Sequence, residues 1–229
     1  MELNKIIYAV AMSLFISCSS SDGDGIISPG ETEARYRVTV TGNWTSGTHP
    51  TDYPSNSHFS PVIGMTHKSG VSMFKENELA TEGIEVMAET GGTSPLDDEI
   101  NAIINTGMAN TLIAKSGLSS GSSTISFELD VDIDFSYVTL VTMIAPSPDW
   151  FVAIENVNLY GTNSFLVEKT VNAVAYDAGT DSGTTFASAD ADTDPAENIT
   201  LLVAPPLGDG NEINPHMLSV RFEKMEIPY

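Results

Sequence analysis

"MIAPSPDWFVAIENVNLY" spans Met143 to Tyr160. Two apolar stretches flank a hinge made of Pro146, Ser147, Pro148, Asp149 and Trp150. Apolar runs of this length, bounded by Pro and Ser, read as strands meeting at a loop. A loop has a use for Pro and Ser. It has no need of a Trp, so the pairing of Asp149 with Trp150 asks for a further reason.

Working outward, the same texture recurs. In "RYRVTVTGNW", Tyr36, Val38 and Val40 face one way and Arg37, Thr39 and Thr41 the other, the alternation of a half-buried strand. "GIEVMAE", "STISFELDVDID", "SYVTLVTMIA", "WFVAIENVNLY", "SFLVEKTVNAVAY", "NITLLVA" and "MLSVRFEKMEI" have a similar character, and Gly, Pro, Asn and Ser clusters separate them. About eight such strands predict an all-β fold, an antiparallel β-sandwich. One segment breaks the pattern. "SPLDDEINAIINTG" sets Leu96, Ile100, Ile103 and Ile104 on one helical face, with Ser94 placed to cap, Pro95 in the first turn and Gly107 after the end. One short helix over Leu96 to Thr106 is expected.

The composition narrows the function. The chain has 229 residues, 41% of them hydrophobic and 17% charged, which is globular rather than disordered. Nine Lys and Arg stand against 31 Asp and Glu, for a net charge of −22. Such a surface repels a phosphate backbone and anionic headgroups, so no nucleic-acid partner is expected. Divalent cations are natural counter-ligands for it.

The N-terminal residues read as an address. Lys5 precedes the apolar run "IIYAVAMSLFIS", which is of signal-peptide length and too short to span a bilayer. It ends in "LFISC", so that residues 1–18 resemble a bacterial lipoprotein signal closing on a lipidated Cys18, with Phe15 where Leu is usual. Residues 19–33, "SSSDGDGIISPGETE", then form an acidic flexible tether, and residues 34–229 form the folded domain. The acidic stretch resembles the export tag of surface-exposed outer-membrane lipoproteins; a solvated linker without an address is the alternative. Cys18 is the one cysteine, so no disulfide braces the domain.

Three acidic patches compete as sites. Asp130, Asp132 and Asp134 alternate with Val131 and Ile133, as a solvated strand face would. Asp190, Asp192 and Asp194 have the spacing that opens an EF-hand, but Pro195 replaces the turn glycine and Leu201 the final Glu. In "YDAGTDSGTTF", Asp177 and Asp181 flank Ala178-Gly179-Thr180. A tight loop there can curl two carboxylates inward, as a hard cation requires, although Asp is also an ordinary turn former.

"PSPDWFV" and "DAGTDSG", intact and in this order, resemble the spondin N-terminal domain, the amino-terminal module of F-spondin and mindin. "YRVTVTGNW", "HFSPVIGMTH" and "AETGG" add to the likeness, which covers Ala34 to at least Phe186. The resemblance implies a β-sandwich with a bound calcium ion. Carried over residue by residue, its ligands are Asp149, Asp177 and Asp181. Trp150, which begins the next strand, is read as a support that roofs the site or plugs the sandwich end; burial as ordinary core is the alternative, and the two are compatible. Animal members carry extra cysteines, and Ala153 stands where the family commonly has Gly. The integrin and polysaccharide partners of animal members do not transfer with the motifs.

Enzyme signatures are weak. His49, His58, His67 and His216 lack zinc-site spacing, and no G-x-S-x-G is present. Glu89 with Asp97 or Asp98 is a conceivable glycosidase pair with nothing further to single it out. The expectation is a non-catalytic, surface-tethered, calcium-binding adhesion or recognition module, whose partner is a cell-surface protein or glycan and whose membrane contact is through lipid alone. The alternatives are an envelope lipoprotein in which calcium only braces the fold and, less favoured, a carbohydrate-active enzyme.

Overall fold

The computed structural model describes residues 30–226. The signal segment, Cys18 and most of the tether lie outside the described residues. Two antiparallel sheets face each other. The first has the order β5-β1-β11-β8, built from β1 (Glu33–Gly42), β5 (Thr124–Asp132), β8 (Glu168–Asn172) and β11 (Leu218–Lys224). The second has the order β10-β9-β7-β6-β3-β4. It comprises β3 (Val62–His67), β4 (Ala109–Lys115), β6 (Tyr137–Ala145), β7 (Trp150–Asn158), β9 (Val174–Asp177) and β10 (Thr200–Leu201), with β2 (His58–Phe59) paired to β6.

The alternation read in β1 is present: Ala34, Tyr36, Val38 and Val40 are buried, with exposed Arg35 and Arg37 between them. They meet Val152, Ile154, Val220 and Phe222 in the core between the sheets. The Tyr36 hydroxyl donates to the Leu166 carbonyl at 2.6 Å, which satisfies its one polar atom.

A second core lies on the other face of the larger sheet. There Ile63, Met65, Val141, Met143 and Phe151 pack against Ile84, Met87, Leu96 and Ile100 of two helices, α1 (Glu82–Thr90) and α2 (Leu96–Asn105). Both faces of β3 and β6 are therefore covered, and their residues are buried almost without a break. A strand buried on both faces reads as a continuous apolar run, not as an alternation. Close approach also makes Gly64 obligatory, since a Cβ there would lie 2.0 Å from the Thr139 carbonyl oxygen.

The all-β sandwich stands, with departures in detail. "GIEVMAE" is helix α1, not a strand. Gly83, Ile84, Met87 and Ala88 are its buried side, a helical spacing; Thr81 accepts from the Ile84 N–H at its start, and Gly91 (φ 71°) closes it. Among the described residues there are thus two short α-helices in place of one. α2 lies where expected, but Ser94 does not cap it: the Asp97 N–H is taken by the Thr93 carbonyl at 2.8 Å. Glu99 of α2 instead accepts from Gly83 N (2.7 Å) and Thr81 Oγ1 (2.6 Å), tying the helix starts together. Among the described residues eleven strands appear in place of about eight, because "SFLVEKTVNAVAY" divides into β8 and β9 in different sheets, and β2, β3 and β4 were not among the expected strands. Asp134 falls in a 3-10 turn that Asp132 caps, so the three-Asp strand face is shorter than its alternation suggested.

Candidate metal centre

The hairpin of β6 and β7 turns through Pro146–Asp149, and β9 lies beside β7 with Trp150 opposite Asp177. This register sets the two acidic loops side by side at one end of the sandwich. The Asp149 carbonyl accepts from Ala178 N at 3.2 Å, which joins them directly. Gly179 has φ +75°, and a Cβ there would come within 2.5 Å of the Glu197 carbonyl oxygen, so the loop can curl this tightly only with glycine.

The Asp149 side chain is fully buried beneath the second loop. Its Oδ2 accepts from Thr180 N (2.8 Å) and Asp181 N (3.1 Å). Its Oδ1 is buried with no hydrogen-bond partner. Burial, the Asp177 charge and more weakly the Asp181 charge push its pKa up from 3.8 to about 6, against the pull of the two backbone N–H groups. Asp177 is also raised, by burial first, with Glu197 and Asp181 adding to it; the Gly179 N–H and the Trp150 indole oppose the shift.

Asp177 Oδ1 accepts from Gly179 N at 2.9 Å and Oδ2 from Trp150 Nε1 at 3.2 Å. Trp150 is thus both core and support. Its ring packs at 5.5 Å against Phe186 while its N–H orients an acidic group. Asp181 accepts from Gly183 N at 2.6 Å and from Ala191 N at 3.0 Å. Asp192 lies opposite Asp181 in a backbone bridge, so the 190–194 stretch is a flap wrapped around the second loop rather than an EF-hand.

The structure therefore brings Asp149, Asp177 and Asp181 into one loop cluster. Among the described residues, however, no three His, Cys, Asp or Glu side chains stand close enough together to form a ready-made metal cage. The fit to a cation rests on Asp149: a buried carboxylate oxygen without a donor, in a field of further carboxylates, is a site that lacks a positive charge. Backbone N–H groups on the other two do not use up their oxygens, each of which has two lone pairs.

Two further acids join this neighbourhood: Glu197, which no sequence motif marks, and Glu89, which the sequence offers only as half of a glycosidase pair with Asp97 or Asp98. Glu197 acts on Asp177. Glu89, in the last turn of α1, is raised by burial first and by Glu85, Asp190 and Asp181, with the Thr180 hydroxyl opposing. A cleft of about 260 Å³ between Glu89, Ser147, Pro148, Asp181 and Asp190 opens the cluster to solvent. Glu89 is the acid of the "AETGG" motif, but the motif carries no pointer to the loops. His49 and His67 are buried and bonded, to the Pro215 carbonyl (2.9 Å) and Thr139 Oγ1 (2.8 Å), and burial lowers both pKa values. Both are core histidines.

A two-sheet antiparallel sandwich with paired acidic loops at one end is the class of protein that fold and site define. The family named Spondin_N matches residues 34–207, and the chain belongs to it. Human Spondin-2 is 30% identical over 206 residues, covering 88% of this chain and 62% of that protein. Rat Spondin-2 is 34% identical over 175 residues (75% and 53%), and rat Spondin-1 33% identical over 178 residues (75% and 22%). The chain thus spans at most 62% of the length of these relatives.

Proposed function

We propose that this protein is a calcium-binding recognition module, non-catalytic, and held at the outer face of a bacterial outer membrane through a lipid on Cys18. The observation that supports it most is the unpartnered, fully buried Oδ1 of Asp149 beside two loops rich in carboxylate. Asp149, Asp177 and Asp181 would hold the ion, with oxygen donors that suit calcium better than a softer metal. Bound calcium would supply the charge that their mutual repulsion lacks and would fix the loops for contact with a cell-surface protein or glycan. Pro146 and Pro148 stiffen the first loop, so less ordering entropy is lost on binding.

Calorimetric titration of the full chain tests the ion: one calcium per chain is expected, and the absence of any heat or thermal shift would refute it. A pull-down from the native surface in calcium and in chelator tests recognition; calcium-dependent stability with no captured partner would favour a purely structural ion. For the tether, the wild type should partition with detergent-soluble membrane lipoproteins and Cys18→Ala should be released or left unprocessed. An unmodified Cys18 in free periplasmic protein would overturn that part. Among the described residues no helix is long and apolar enough to cross a membrane.

A further inference from the structure

A second cavity lies where β9 and β10 meet the segment 203–217. It has a volume of about 160 Å³, and its inner walls are buried Val152, Ala173, Ala175, Leu202 and Met217, with Ile213 alongside. Val152 and Ala173 also line a small void of about 10 Å³ deeper between the sheets, so the cavity points into the core. At its mouth Val174 and Leu201 are 43% and 44% exposed, two of the few large apolar side chains left in water. The polar groups at the rim are Asn211, Glu212 and His216.

An apolar cavity of roughly 150 Å³ does not hold water well and takes up a molecule the size of benzene. The charge around it then selects among such molecules. Residues 170–220 contain no Lys or Arg, and Glu212 stands at the rim. A carboxylate-bearing ligand would be repelled there, and an ammonium would be attracted.

We propose that this cavity is a binding site for a small amine, with an aromatic or short alkyl body seated against Val152, Ala175, Leu202 and Met217 and its ammonium group at Glu212. The body gains by leaving water, and the cation fixes its orientation. None of the acidic-loop carboxylates lines the cavity.

The test is methyl NMR of the full chain titrated with benzylamine, benzyl alcohol and benzoate. Benzylamine should shift the Val152, Leu202 and Met217 methyls saturably at millimolar concentrations, more tightly than benzyl alcohol, with benzoate weakest. Glu212→Gln should bring benzylamine down to the level of benzyl alcohol. Ala175→Leu should fill the space and abolish all three titrations. Equal binding of the three probes, no binding by any, or shifts that survive Ala175→Leu in a folded protein would overturn the proposal. If that variant does not fold, Glu212→Gln, which changes an exposed side chain, decides: an unchanged preference for the amine overturns the assignment.

Discussion

Asp149→Asn should reverse its effect on stability according to whether calcium is present. In the ion-free protein the Asp149 carboxylate is fully buried and its pKa is pushed from 3.8 to about 6. At about 1.4 kcal/mol per tenfold change, that displacement means folding opposes the charge by roughly 3 kcal/mol at neutral pH. The amide of Asn keeps the shape and can still accept from Thr180 N and Asp181 N. It removes the charge but places an N–H₂ where Oδ1 has no partner, at a cost of about 1–3 kcal/mol. In chelator the variant should therefore melt at or slightly above the wild type. With calcium at a hundredfold excess over Kd, the wild type should gain about 2.7 kcal/mol and the variant little, so the order inverts. Scanning calorimetry at pH 7 in calcium and in chelator measures both. The sign of the pH dependence follows from the same shift. The folded protein holds this proton more tightly than the unfolded chain, so the penalty is full above about pH 6 and fades as pH falls towards 4. Ion-free wild type should gain stability from this group over that window, and Asp149→Asn should not. A variant that is destabilised equally with and without calcium, with an unchanged pH profile, would refute the reasoning and make Asp149 an ordinary structural acid.

Asp177→Ala should remove most of the calcium-dependent gain in melting temperature, whereas Asp192→Ala, which deletes an exposed side chain of the flap, should leave it nearly intact; the reverse order would relocate the site. Tyr36→Phe should lower unfolding free energy in urea by about 1–2 kcal/mol, because the partly buried Leu166 carbonyl loses its 2.6 Å donor; no change would mean that water replaces the bond. Gly64→Ala should cost at least about 2 kcal/mol or prevent folding, since the new methyl would meet the Thr139 carbonyl of the neighbouring strand; a variant of wild-type stability would show that β3 and β6 can separate.

Elements buried on one side only were legible from residue order alone. β1 shows its alternation because one face meets the core and the other meets water, and α2 shows its 3.6 period for the same reason. The two acidic loops were legible as motifs, down to the carboxylates they carry. Features that depend on a second layer emerge only on folding. β3 is buried on both faces, so nothing along it alternates, and its strand character was recoverable only with the helices in place. "GIEVMAE" is a helix because Thr81 and Gly91 cap it and because Ile84 and Met87 find the outer face of the sheet, an option that β-branched residues in isolation do not announce. The candidate site divides in the same way. Asp149 and Asp177 stand 28 positions apart and become neighbours through the pairing of β7 with β9. Glu89 and Glu197 join their field from a helix and a distant loop. The depth of burial that leaves Asp149 Oδ1 without a partner appears only when the second loop closes over the first. Periodicity along a chain reports which side of an element leaves water; proximity between charges far apart in sequence is set by strand register and loop closure, and these exist only in three dimensions.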